Sequence, residues 1–113
     1  MLMLISILRK SRRVTKMQNS LTIVAHARAK PGLEDLMISE QTKLVEATQH
    51  AAGCLRYELH RSNADPRLVT FVEEWASAED WQNHMQSQAI QAFRSSAGHC
   101  IGDFSLFEMH RIA

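Results

Sequence analysis

Residues 71–90 read FVEEWASAEDWQNHMQSQAI, and the chain changes period inside this stretch. Phe71, Glu73 and Trp75 recur every second residue, as on one face of a strand. From Ser77 the spacing turns helical. Ser77 and Asp80 stand three apart in the Ser-x-x-Asp form of a capping box, and Trp81, His84 and Gln88 share a helix face. A strand that runs directly into a helix at residues 75–78 fixes how the rest of the chain is parsed.

Upstream, LTIVAHARA (21–29) alternates Leu21, Ile23, Ala25 and Ala27 against Thr22, Val24, His26 and Arg28, which predicts a strand. KPG breaks it, with Pro31 suited to the first turn of a helix. Residues 32–50 then carry Leu33, Leu36, Met37, Glu40, Leu44, Ala47 and Ala51 at three- and four-residue steps, a predicted helix ended by Gly53. CLRYELHRS places Leu55, Tyr57 and Leu59 opposite Arg56, Glu58 and His60, a second strand. NADP is a turn by composition, and RLVTFVEEW is the third strand. Downstream of the opening stretch, Ser87 caps a short second helix with Ile90 and Phe93, Gly98 ends it, and DFSLFEMHRIA is the last strand. The order β-α-β-β-α-β is that of an α+β ferredoxin-like unit, an antiparallel sheet with both helices on one face. The opposite face carries Val24, Leu68 and Val72, apolar enough to predict a homodimer.

The 113 residues suit one domain, 45% hydrophobic and 22% charged, with a formal net charge of +1. Residues 1–19 hold five basic and no acidic residues; the remainder holds eight basic and twelve acidic residues, a formal charge of −4. Such a domain is a poor phosphate-backbone binder, so no nucleic acid is expected. MLMLISIL is too short to span a bilayer, and the charged RKSRR follows it rather than preceding it as in a secretory signal. Residues 1–19 are expected to be a disordered or non-native extension, and the folded domain to cover 20–113. Cys54 and Cys100 lack a CxxC or a dense disulfide pattern, so reduced thiols in a cytoplasmic protein are expected.

The candidate chemistry centres on His84 and Glu73. An acid among apolar residues is pushed toward its neutral form, and a His and a Glu converging on a cavity could move a proton from a phenol or enol. The plainer alternatives are a His84 bonded to backbone and a Glu73 paired with Arg56 or Arg28. Tyr57 would be a core residue with a satisfied hydroxyl, or would orient a ligand. His26, His60 and His110 fall on the other strand face. No histidine spacing suits a metal, and the glycine-rich nucleotide and nucleophile-elbow motifs are absent, so neither metal nor cofactor is expected.

VAHARAKPG, GCLRYELHRS, FVEEWASAEDWQNH and SQAIQAF, in this order over residues 20–112, resemble the antibiotic biosynthesis monooxygenase domain family. The segment Glu-x-Trp-x-Ser-x-x-x-x-x-x-His, Glu73 to His84, is the most specific part. The resemblance implies a dimeric α+β barrel. It also implies cofactor-independent oxidation of a small quinol or phenolic aromatic by O2 as co-substrate. On this sequence it implies proton transfer by His84, orientation by Glu73, and a substrate wall from Trp75, Tyr57, Trp81 and Phe71. Two departures stand out. Relatives resembling quinol monooxygenases often carry a His-x-x-Ser-x-His pattern, where this chain has Ala89. The Asn of haem-degrading relatives has no counterpart on the first strand. An isomerase of a small phosphorylated carbonyl compound and a non-catalytic dimeric ligand-binding module are the alternatives.

Overall fold

A computed structural model describes residues 20–113; the expectation for residues 1–19 lies outside the described residues. The alternation in LTIVAHARA produces β1 (Leu21–Ala29), with Ile23, Ala25, Ala27 and Ala29 buried and the intervening residues half-exposed. The chain then forms α1 (Glu34–Thr48), β2 (Cys54–Arg61), β3 (Leu68–Trp75), α2 (Ala78–Met85), α3 (Gln88–Ala97), a single 3₁₀ turn (Gly98–Cys100) and β4 (Ile101–Met109). The sheet order is β2-β3-β1-β4 and every pairing is antiparallel. Two crossovers therefore interleave, with β3 between β1 and β2 and β1 between β3 and β4. This is the ferredoxin-like α+β arrangement predicted from the element order.

The helices cover one sheet face over two contiguous apolar clusters. One gathers Ile23, Ala25, Leu44, Tyr57, Phe71, Trp75 and Ile90; the other gathers Ala27, Ala29, Met37, Val69, Ala97 and Cys100. The inward positions of β1 are alanines at 25, 27 and 29, so the central strand contributes little bulk to either cluster. No residue of β4 is fully buried, and Phe104 on it stays more than half exposed. Small side chains in the middle and an uncovered edge leave space between α3 and the β1–β4 half of the sheet.

Three details differ from the sequence reading. Pro31 and Gly32 form a turn ahead of α1, with Gly32 at φ +84°, so the proline precedes the first helical turn instead of occupying it. The buried stripe of α1 is Met37, Gln41, Leu44 and Thr48, whereas Leu36 is 41% exposed. Spacings of four, three and four put those residues on one line, and Thr48 satisfies its hydroxyl on the Leu44 carbonyl at 2.6 Å. In β2 the register shifts between Cys54 and Arg56, so Leu55 is an extra residue; it turns outward, 47% exposed, instead of lying beside Tyr57 and Leu59. Cys54 and Cys100 are both free thiols.

Both helix caps expected from sequence are present. The Ser77 hydroxyl accepts the Asp80 N–H at 3.1 Å and donates to the Asp80 carboxylate at 2.9 Å, and the Ser87 hydroxyl accepts the Ile90 N–H. Gly53 lies against this first cap. Its φ is +76°, and a Cβ there would overlap the Asp80 side chain. Because Asp80 is held by Ser77, it has no room to step aside. Gly53→Ala is therefore expected to lose about 2 kcal/mol or more, from left-handed backbone strain plus the displaced cap. Urea denaturation measures this, and a midpoint matching the parent protein would show that the turn and the helix start are not coupled.

Candidate functional site

Alternation along β3 turns Phe71, Glu73 and Trp75 toward the helices, and the last turn of α2, whose start is capped by Ser77, carries His84 over the same region. Glu73 and His84 are each 5% exposed and Tyr57 is 4% exposed. The indole N–H of Trp75 donates to Glu73 Oε1 at 2.9 Å. The face of Trp75 stacks on the His84 imidazole, with centroids 4.7 Å apart and an interplanar angle of 29°. The imidazole also meets Tyr57 edge-on, and His84 Nε2 lies 3.2 Å from the Tyr57 hydroxyl. Tyr57 also packs edge-on against Trp75 and tilted against Phe71. Glu73 and His84 are therefore linked through the indole of Trp75. Neither Arg56 nor Arg28 pairs with Glu73: Arg56 bonds Glu58, and Arg28 bridges Asp65 and Asp103.

Burial sets the protonation states. It raises Glu73 to about 7, partly offset by the bond from Trp75. It lowers His84 to about 4, so the imidazole is neutral at pH 7. The Tyr57 hydroxyl is raised above its ordinary value, first by burial and then by the nearby Glu73 and Cys54 charges. The Tyr57 hydroxyl and Nε2 share one hydrogen bond, whose donor is set by which ring nitrogen of the neutral imidazole carries the proton. At neutral pH the site thus holds one imidazole able to take a proton and one carboxyl group near its midpoint.

These groups meet a cavity of about 420 Å³ between α3 and the sheet. Tyr57, Glu73 and His84 line it together with Phe71, and Ile90, Phe93 and Leu106 add apolar wall. This size and character suit a small, mostly apolar ligand. Trp75 does not line this cavity. It lines a smaller one of about 180 Å³ beyond His84, shared with Asp80, Asn83 and Ala89. Trp81 lines neither and packs at the border of the first apolar cluster. A depression of about 410 Å³ on the opposite sheet face touches His26, Arg28 and Asp103. Its ionic groups are already paired with one another and with Asp65, so the buried cavity is the better candidate site.

The sequence reading missed Phe93 and Leu106 as wall residues and Arg94 as a lining residue. Arg94 had no visible signal: Ile90, Phe93 and Ala97 form an unbroken apolar stripe on α3, and Arg94 follows Phe93 at an exposed position. Among the described residues, no three His, Cys, Asp or Glu side chains converge to hold a metal, and no helix is long and apolar enough to cross a membrane.

A four-stranded antiparallel sheet under helices, with a buried imidazole and carboxyl group beside a cavity, defines a ferredoxin-like α+β domain. The family model for antibiotic biosynthesis monooxygenase matches residues 20–96, and the chain belongs to that family. Among solved structures, the chain is similar to protein SO0527 from Shewanella oneidensis, at 30% identity and TM-score 0.78, covering 83% of this chain and 92% of that one. PA3566 from Pseudomonas aeruginosa is 26% identical, with TM-score 0.81 and coverages of 86% and 98%. A structure described as an antibiotic biosynthesis monooxygenase is 24% identical, with TM-score 0.75 and coverages of 82% and 99%; at that identity it shows the fold alone. No curated protein matches the sequence.

The raised Glu73 pKa has a consequence for stability. Between the ordinary carboxylate value of 4.5 and about 7, the folded state keeps a proton that the unfolded state releases. Stability from this group is complete below pH 4.5 and is lost as pH rises through 7. Glu73→Gln keeps an oxygen for the Trp75 N–H and removes the ionisation. Its stability relative to the parent is expected to rise by roughly 2–3 kcal/mol between pH 4.5 and pH 8. Thermal melts across that range check it, and a constant difference would mean Glu73 titrates normally.

Proposed function

We propose that the chain is a cofactor-independent monooxygenase that oxidises a small quinol or phenolic aromatic with O2. The observation that carries this reading is the neutral, buried imidazole of His84, bonded to the Tyr57 hydroxyl on the wall of a largely apolar cavity. A flat ring placed against Phe71, Ile90 and Leu106 brings its hydroxyl to His84 and Tyr57. His84 takes the phenolic proton, and an electron-rich phenolate is left against a largely apolar wall. The phenolate passes one electron to O2, and the cavity walls hold the resulting pair together. A carbon–oxygen bond forms at a ring C–H position. The O–O bond then breaks, one oxygen stays on the ring, and the other leaves as water with the ring and phenolic hydrogens. The product is a quinone, and both electrons needed to reduce the second oxygen come from the substrate.

Glu73 is a positioning residue in this scheme. It fixes the indole of Trp75, which fixes the plane of His84. Trp75 acts as a stacking surface for His84, and Trp81 supports the fold beside it. Isomerisation of a small carbonyl compound could use the same proton acceptor, with Glu73 near its midpoint returning the proton; such a reaction consumes no O2. A non-catalytic module would be favoured by a cavity filled with Trp81, Met85 and Phe93, whereas open space of about 420 Å³ remains.

We also propose a homodimer. Val24, Leu68 and Val72 are only half-buried on the sheet face away from the helices, and Phe107 and Met109 beside them are 46% and 44% exposed. A second copy would cover this apolar surface. Light scattering at micromolar concentration is expected to give twice the chain mass, and a monomer mass would remove the dimer.

Oxygen uptake by the full chain, with a panel of hydroquinones and polyphenols, tests the reaction. Uptake above the protein-free autoxidation rate is expected for the parent, falling about 100-fold or more in His84→Ala. Because His84 is needed unprotonated, the acid limb of the rate is expected near pH 4, well below an ordinary histidine. Uptake equal to autoxidation across the whole panel would overturn the monooxygenase reading and favour the isomerase.

A further inference from the structure

We propose that Arg94 is a specificity-determining residue that selects substrates carrying a carboxylate at the end opposite the reactive hydroxyl. The inference deepens the proposed function and rests on it. It makes the substrate class an aromatic hydroxy acid rather than a neutral quinol.

Four observations lead there. Arg94 lines the cavity that holds Tyr57, Glu73 and His84. It follows Phe93 on α3 and is exposed, at the border of the apolar stripe of Ile90, Phe93 and Ala97. Among the described residues it is in no ion pair, while Arg28 and Arg56 each hold a carboxylate. The strand register also separates it from the proton-transfer end. Glu73 is paired with Ile23, whereas Phe104, another cavity-lining residue, is paired with Ala27. Four residues of strand make about 13 Å. Arg94 belongs to the Phe104 end, because α3 runs from Ile90 through Arg94 to the 3₁₀ turn that opens β4.

The cavity is therefore polarised along its length. One end offers a neutral imidazole and a carboxyl group; the other offers an unpaired guanidinium beside an exposed aromatic ring. Burying a guanidinium without a partner is costly. Here the exposed position keeps the guanidinium hydrated until a ligand arrives. A carboxylate at that end gains a charge-assisted bond that a neutral ring lacks. The same carboxylate at the inner end would face Glu73, and repulsion would oppose it. The two ends thus orient an elongated hydroxy acid in one sense, hydroxyl inward. A bicyclic aromatic acid has the length for both contacts.

Calorimetric titration of the full chain with 6-hydroxy-2-naphthoate and with 2-naphthol tests this without oxygen chemistry. These ligands share a ring and a hydroxyl and differ only in the distal carboxylate. The acid is expected to bind about 3- to 10-fold more tightly. That advantage is expected to fall below about twofold in Arg94→Gln, to survive in part in Arg94→Lys, and to shrink as salt is raised. Arg94 is exposed, so neither variant threatens the fold. Equal binding of the two ligands, or an advantage that persists in Arg94→Gln, overturns the assignment of Arg94. It leaves the monooxygenase reading to the oxygen-uptake assay. If neither ligand binds, the assignment of Arg94 to a bicyclic hydroxy acid falls, and the oxygen-uptake assay alone decides the monooxygenase reading.

Discussion

The indole of Trp75 is the interaction on which the site depends. It is fully buried, it donates its N–H to Glu73, and its face lies on His84. A buried carboxyl group without a donor would carry a large desolvation cost, and a buried imidazole without a packed neighbour would have no fixed plane. One side chain meets both needs because β3 alternates and α2 starts immediately after it. The cap at Ser77 and the turn at Gly53 then determine where α2 begins, and so where His84 sits. Local backbone chemistry four to seven residues before the histidine governs the geometry of the acid–base group.

The cavity has a separate origin. It follows from what the sheet lacks: bulk on the inward face of β1, and a helix over β4. Neither feature involves the titratable groups. The ferredoxin-like scaffold alone does not specify a reaction, since one fold supports many chemistries. The reading comes instead from coincidence in space: a neutral imidazole, a carboxyl group near its midpoint and an apolar chamber share one wall.

Much of this was legible in the sequence because strand alternation and helix caps are local signals. Ser77, Asp80 and Ser87 announce two helix starts, and Phe71, Glu73 and Trp75 announce one strand face. The meeting of Tyr57, Phe71, Glu73 and His84 followed from element order combined with the family resemblance. What was not legible depended on depth. Leu36 and Leu55 look like core residues by type, but a one-line stripe on α1 and an extra residue in β2 turn them outward. Trp75 and Trp81 look like ligand-facing aromatics, yet one is used to hold His84 and the other packs at the border of the core. Leu106 became a cavity wall only through the pairing of β4 with β1, which sets it opposite Ala25, a contact between residues far apart in sequence. Arg94 follows Phe93 at an exposed position, and nothing in the spacing of α3 announced the space beside it.

The alanines of β1 give the domain two independent controls. Ala25 lines the main cavity, while Ala27 and Ala29 underlie the neighbouring cluster. Enlarging a side chain at 25 would shrink the chamber from its floor and leave the Glu73–Trp75–His84–Tyr57 linkage intact. Capacity and reactivity are thereby written on different strands. Variation on the central strand could retune the size of what the chamber admits, generation after generation, while the linked side chains of β2, β3 and α2 are inherited unchanged.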